Sequence, residues 1–526
     1  MARANGILLP VRLPRANSVQ VAPVFTRANA ILVALAYFAA AVLLFASRLR
    51  EFADETDNLL GGLLIARGER LYVDYFSSHM PLAYYVAAIP ALFGASSLEH
   101  FRLFSNILLV VVTLAIVWSF RHRVSVPLLG MWATITLFAH NLQWGEMLTA
   151  STCAGFGIFV AGLLFYSTPR VQFSAAQQLA VSAAVFVAVE SELIAVFPLL
   201  WLGLCYAIVR LTSIWRRRTA VAAEVRSAVG LGLIVIAPHA LLALAFWMKG
   251  MLADFVFDAY QFNVDDYPRF VMNPSVVGML HDWEAQYRTY LTLSLRDPLS
   301  LQWCLVVGNL LATWVVFRSR GWAIAGVYYL FIALCHVRNE GAYYLCSYFS
   351  LALIIAWAIS HMRRPAAWQA VGVAAVALVS GVFLVQVAPE LDLSSRPVES
   401  PHASVVQALT APGEEILVVP FDPYVYLASG RMPASRLPFY FPWQAIEPRT
   451  RDVLMDDLRS GPPPVIIFRG DELVNGQWLP SEYARDLHDF LLGWQYAALD
   501  ATSPLLGDVL VRQDRLAAAR EQLQAR

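Results

Sequence analysis

Lysine is all but absent: Lys249 is the only one among 526 residues, against 37 arginines. Charge of either sign is scarce too, at 14% of the chain, where a soluble domain carries about 25%. That shortage excludes a wholly soluble protein. The two signs balance at 38 residues each, so no basic excess points to a nucleic-acid partner. The five cysteines (Cys153, Cys205, Cys304, Cys335 and Cys346) lie in or beside apolar runs, and none follows residue 346. This excludes a disulfide framework. The first 25 residues lack the short apolar core and small-residue cleavage site of a signal peptide. Arg3, Arg12, Arg15 and Arg27, ahead of the first apolar run, fit a cytoplasmic N-terminus instead. Repeats, heptads and low-complexity tracts are also missing.

What the chain has in abundance is apolar length: 58% hydrophobic residues. A hydrocarbon core about 30 Å thick needs ~20 apolar residues per helix. Runs of that length lie near 28–47, 101–120, 124–141, 148–167, 226–247, 299–317, 321–336, 342–361 and 366–388. The stretch 176–213 is too long for one span and is interrupted by Glu190 and Glu192. An ionised side chain at a span centre costs ~3 kcal/mol, so two helices meeting at an acidic turn are expected there. The expected fold is a polytopic α-helical membrane protein of about eleven spans.

The segment 79–98 holds Pro81, Pro90 and Gly94. Arginine placement decides its fate. If it lies along the membrane, Arg121/Arg123, Arg170, Arg210–Arg226, Arg318/Arg320 and Arg363/Arg364 are all cytoplasmic, as the positive-inside rule requires. We therefore expect a membrane-lying helix. The outside then receives 48–100, 141–147, the turn at 190–192, 248–298 and 337–341. Segments 48–100 and 248–298 are each roughly fifty residues, far beyond ordinary connections. The outer face is where function is expected.

Past residue 388 the pattern changes. A proline-bearing linker, Pro389 to about Pro401, is followed by the short apolar runs Ile416–Val419, Val465–Phe468 and Val509–Val511. They alternate with helical patterns at Arg451–Arg459 and Tyr483–Leu492. This reads as an α/β domain at 389–526, placed outside by the topology, after a transmembrane domain at 1–388. Its Asp422, Tyr424, Tyr426, Arg431, Ser435, Arg436 and Tyr440 form a polar-aromatic group to which the sequence assigns no role.

Directly after the first expected span stand Asp54-Glu55-Thr56-Asp57, then Leu71-Tyr72-Val73-Asp74 and His79-Met80-Pro81-Leu82-Ala83-Tyr84-Tyr85. Adjacent carboxylates at a membrane surface are costly unless solvated, paired or metal-bound. A solvated loop in which Thr56 or Asp57 caps a helix before Leu59-Leu60 is one account of them. Their order suggests another. An acidic pair, Gly-x-x-Leu-Tyr-x-Asp, His-x-Pro-Leu-x-Tyr-Tyr and Leu-Phe-Gly resemble the GT-C membrane glycosyltransferases. The likeness is to the protein mannosyltransferases, the aminoarabinose lipid A transferases and the rhizobial galacturonosyltransferases, over roughly residues 28–345.

The resemblance implies a bacterial inner-membrane enzyme that uses a polyprenyl-phosphate sugar donor and an envelope glycan, lipid or protein acceptor. It implies Asp54 as the base that takes the acceptor's proton, typically worth 10²–10⁴-fold, and Glu55 as its assistant or an acceptor contact. The departing phosphate needs a fixed cation. Arg338, in His336–Glu340 ahead of Tyr343-Tyr344, and Lys249 are the candidates. A snorkelling arginine is the other reading of Arg338. Glu190-Ser191-Glu192 stands where many relatives carry Thr-Lys, which is why Lys249 enters.

A divalent metal (zinc, magnesium or manganese) has candidate ligands in His79, Glu146 and His281. His79 occupies the place of a metal-binding glutamate in the lipid A transferases. Glu146 lies where relatives more often have aspartate, and His281 is the histidine of the covering segment 248–298. That segment's many acids are otherwise those of a solvated loop. Cys335 and Cys346 flank the turn at 337–341, and nothing in the sequence pairs them. The competing class is a transporter or flippase of lipid-linked sugars. Such proteins carry internal repeats and midplane ionisable groups, and neither is visible here. A scaffold whose outer domain binds a partner would leave the long outer segments without a task.

Overall fold

The computed structural model describes residues 53–121, 148–167, 173–217, 221–271, 400–474 and 476–524, with isolated residues 133, 281, 284 and 288. Helix α1 (Ala53–Ala66) starts ahead of the acidic run, which puts Asp54 and Glu55 in its first turn, where the helix dipole favours them. Thr56 and Asp57 are therefore interior helical residues, not caps. The chain then turns at Gly68 (φ 101°) and at the buried Tyr72, itself left-handed at φ 71°. A hydrogen bond from Tyr72 N to Tyr75 O (2.7 Å) closes that turn.

Helix α2 (Leu82–Leu92) has 11 residues, roughly 16 Å of axial length, so it is too short to cross a bilayer. It packs so closely on α1 that a Cβ at Gly62 would fall 2.6 Å from Ala87 Cβ. Ser97 caps α3 (Leu98–Phe120) by accepting from His100 N. Helices α4 (Ala150–Ser167) and α5 (Ala175–Val189) follow, and a capping box of Ser174 and Gln177 opens α5. The expected break in 176–213 falls where the acids stand. After α5 the chain turns at Glu190–Glu192 and makes one 3₁₀ turn (Leu193–Ala195) before α6 (Val196–Arg217).

Helix α7 (Val221–Met248) is the longest described. Among the described residues, Leu98–Ser119, Leu193–Thr212 and Val221–Met248 are long and apolar enough to cross a membrane. Of the other expected spans, 148–167 and the first half of 176–213 hold the shorter apolar helices Ala150–Phe165 and Ala175–Val189, and those at 28–47, 124–141, 299–317, 321–336, 342–361 and 366–388 lie outside the continuously described segments.

Beyond α7 the described part of the expected solvated loop, up to Val271, is helical instead. α8 (Leu252–Phe255) runs into a π-helical stretch (Val256–Asp266) and then α9 (Pro268–Val271). Asp258 within it has no exposed surface.

The C-terminal part begins with α10 (Pro401–Leu409) and holds five strands: β1 (Glu415–Val419), β2 (Met432–Pro433), β3 (Val465–Phe468), β4 (Tyr496–Ala498) and β5 (Val509–Arg512). The order is β2-β1-β3-β5-β4. β1 pairs in parallel with β2 and β3, setting Leu417 opposite Ile466, while β5 runs antiparallel to β3 and β4. β1 and β3, near-continuous apolar runs, are central and covered on both faces, as parallel strands require. β2 and β4, too short and mixed to read from sequence, form the edges.

Helix α11 (Pro423–Ser429) connects β1 to β2, and its Leu427 packs towards Leu59 and Phe101 of the helical part. The two parts share their apolar interior. Leu60, Leu64, Tyr72 and Tyr75 form one buried cluster with Val406, Ile416, Val418 and Tyr426. Phe76 enters the other face of the sheet, edge-on to Phe262 (5.3 Å between centroids) and near Phe439 (6.3 Å).

Candidate active site

The acidic turn of α1 sends its first two carboxylates, Asp54 and Glu55, to different sides. Glu55 has no exposed surface and faces α3, where Arg102 Nε lies 2.9 Å from both carboxylate oxygens and Nη2 2.5 Å from Oε2. Leu148 N donates to Oε1 at 3.4 Å. Burial pushes the Glu55 carboxyl up, and the Arg102 guanidinium opposes that rise. A carboxylate fully engaged inside the protein has no free edge for a substrate, which corrects the expected role of Glu55 as assistant or acceptor contact. It fastens α1 to α3.

Asp54 is partly exposed, one turn ahead of Asp57 on the same side of the helix. Asp57 is buried and accepts from the hydroxyls of Tyr75 (2.5 Å, Oδ1) and Tyr84 (2.5 Å, Oδ2). Burial pushes its carboxyl above the ordinary range, His79 and the two tyrosines oppose the shift, and Asp54 adds to it. His79 Nδ1 stands 3.8 Å from Asp57 Oδ2. The Tyr84 ring fits only because residue 61 is glycine: a Cβ there would fall 2.7 Å from Cε1. Tyr84 and Ser77 share a 2.6 Å hydroxyl contact.

The loop leading to α2 is tied along its length. Phe76 N donates to Arg436 O (2.7 Å), His79 N to Ser77 Oγ (2.9 Å), and Tyr72 OH to His79 O (2.9 Å). Leu82 N donates to Glu190 O (2.7 Å), bringing the turn after α5 against the start of α2. Glu190 is buried, and its Oε1 lies 2.5 Å from His239 Nδ1 of α7. The expected turn is therefore present, but its first acid is sealed rather than solvated.

Asp57, Tyr75, Tyr84, Asp258 and His239 were not singled out as site residues from the sequence. Spacing carried a signal for the first three: a helix that starts before Asp54 puts Asp57 and Gly61 on one side, opposite the Tyr-Tyr motif. His239 sits inside an apolar run and gave none.

Of the other candidates, Lys249 is exposed just past Met248, next to the left-handed Gly250 (φ 70°). His281 is exposed. Glu146, Arg338 and the Cys335–Cys346 pair lie outside the described residues. Among the described residues no group of three or more His, Cys, Asp or Glu is placed to hold a metal. Asp57 already spends both oxygens on tyrosine hydroxyls. Among the described residues His79 and His281 are not grouped with a further ligand, and Glu146, the other expected ligand, lies outside them.

Solved structures share this fold. The chain is similar to ArnT from Cupriavidus metallidurans bound to undecaprenyl phosphate, with a TM-score of 0.53 and 16% identity over 83% of this chain and 92% of that one. The apo structure of the same protein gives 0.51 at the same identity and coverage. An oligosaccharyltransferase from Archaeoglobus fulgidus, in complex with Zn and sulfate, scores 0.45 at 13% identity over 76% of this chain and 62% of that one. No family model and no curated protein matches the chain.

Proposed function

We propose that the protein is a membrane glycosyltransferase moving one sugar from a polyprenyl phosphate to a cell-envelope acceptor. The reaction takes place at the outer face of a bacterial inner membrane. The observation that carries this reading is the division of labour on α1: Glu55 sealed by Arg102, Asp54 left partly open beside the tyrosine-held Asp57. The GT-C fold supports the reaction class, and the lipid seen on ArnT supports the donor class.

In this reading the acceptor hydroxyl attacks the anomeric carbon, and Asp54 takes its proton as the new C–O bond forms. The bond from the anomeric carbon to the phosphate oxygen breaks, and polyprenyl phosphate leaves with the electron pair. Configuration inverts. Asp57, Tyr75 and Tyr84 act by position, fixing α1 against the loop that carries His79. Arg338 and Lys249 are the cations assigned to the leaving phosphate, since charge developing near a low-dielectric boundary needs a fixed partner. Transferred sugar and acceptor follow from pocket shape, which envelope-glycan mass spectrometry of a deletion strain identifies.

The test is turnover by purified protein in nanodiscs with undecaprenyl-phosphate-linked sugars and an envelope acceptor extract. Release of free undecaprenyl phosphate matched by a glycosylated acceptor is expected. In proteoliposomes, an intact lipid-linked sugar crossing the bilayer without cleavage would replace this reading with that of a flippase.

A further inference from the structure

A line of bonds enters the α1 site from the C-terminal domain. Arg436 follows β2 and puts Nη2 3.2 Å from both carboxylate oxygens of Asp258. Asp258 is sealed within the π-helical stretch, and its carboxylate lies beside the Ser77 backbone N–H. Ser77 Oγ meets Tyr84 OH (2.6 Å), and Tyr84 OH reaches Asp57 (2.5 Å). The same loop is held twice more: Phe76 N donates to Arg436 O (2.7 Å), and Asn263 Nδ2 donates to Ser78 O. The backbone of one arginine therefore holds Phe76 directly, while its side chain meets the carboxylate that lies beside Ser77.

We propose that Arg436 is an interdomain positioning residue for the α1 site, acting through Asp258 and Ser77. The inference rests on the glycosyl-transfer reading for its activity arm alone. A sealed carboxylate deprived of its guanidinium is an uncompensated buried charge. It recovers by taking a proton or admitting water, and either change loosens the packing of Asp258 and Arg436 against the loop Phe76–Ser78.

A second pair separates positioning from mere cohesion. Arg449 Nη2 binds Asp254 (2.6 Å) across the same junction and lies over Phe257 (4.0 Å). Its side chain is 42% exposed, and it meets the line only through Asp254, which stands 3.6 Å from Arg436 Nη1. If the junction only glued the parts together, Arg449 and Arg436 would be interchangeable.

The experiment uses the full-length protein with Ser78→Cys, and the labelling rate by a membrane-impermeant maleimide is read after subtracting the parent without that cysteine. With Arg436→Gln or Asp258→Asn, labelling is expected to speed up about tenfold, the scale of one lost charge-assisted hydrogen bond. The double variant should add little to either single one, because both cut the same line. Arg449→Gln should leave the rate within about twofold, as expected of an exposed pair. Arg436→Lys, which keeps the charge and loses the fork, should fall between and serves if Arg436→Gln fails to fold.

In turnover, Arg436→Gln should lower kcat with little change in KM for the lipid donor. Unchanged labelling in a folded Arg436 variant, or equal acceleration by Arg449→Gln, overturns the proposal. The labelling arm stands whether or not the protein transfers sugar, so failure of the functional reading is visible separately as absent turnover in the parent.

Discussion

Glu55 and Asp54 are neighbours in sequence, yet one lies in a sealed ion pair and the other at an open surface. The difference teaches what an acidic motif is for. Successive residues on a helix point about 100° apart. An Asp-Glu pair therefore cannot put both groups into one site; one side chain must face the bundle. There, a carboxylate is tolerable only if a cation meets it, and Arg102 does so with three contacts. The motif thus pairs an anchor with a partly exposed carboxylate, and the anchor fixes the helix that carries it.

The comparison breaks most visibly on the anchored side. Glu55→Gln takes the charge from the carboxylate that meets the buried Arg102, and should cost about 3–5 kcal/mol. The thermal midpoint in detergent reads this, and a midpoint within a degree of the parent would show that Arg102 finds another partner.

On the open side the expected effects are smaller and of another kind. Tyr84→Phe removes a hydroxyl bound to the Asp57 carboxylate, worth about 1.5–3 kcal/mol for a bond to a charged group. Gly61→Ala should reach the same end by pushing the ring, at about 1–3 kcal/mol for an overpacked contact. If the two act on one hydrogen bond, the double variant costs less than the sum of the singles, by the same midpoint measurement.

The smallest effect is in pH. The Asp57 carboxyl is raised above its ordinary 3.8 by burial, so the folded protein keeps that proton to higher pH than the unfolded chain does. Stability from this group is therefore present at low pH and is lost as pH climbs from 3.8 through the raised value. Asp57→Asn removes one proton's share of that decline, leaving the shares of Glu55 and Asp258, which burial raises as well. Midpoints compared between parent and variant across that window give the slope directly.

The parts of this arrangement that follow local rules were legible in the sequence. Glu190 and Glu192 inside an apolar run marked the break between α5 and α6, and the placement of the arginine clusters marked 79–98 as a segment that does not cross, where the structure has the 11-residue α2. β1, β3 and β5 showed as short apolar runs. The interior charges were not legible. Glu55 and Arg102 are 47 residues apart, Glu190 and His239 49, Asp258 and Arg436 178. No periodicity links such partners, because tertiary packing alone brings them together. Asp258 looked like one more acid of a hydrated loop, and Arg436 like one more polar residue of the tail. Each makes sense only with the other.

The account's central claim is tested most directly by turnover of Asp54→Asn, in protein whose thermal midpoint and undecaprenyl-phosphate binding match the parent. Loss of sugar transfer by about 10²–10⁴-fold is the result predicted for a missing general base. Transfer at the parental rate would contradict it, leaving the open face of α1 without the chemistry assigned to it.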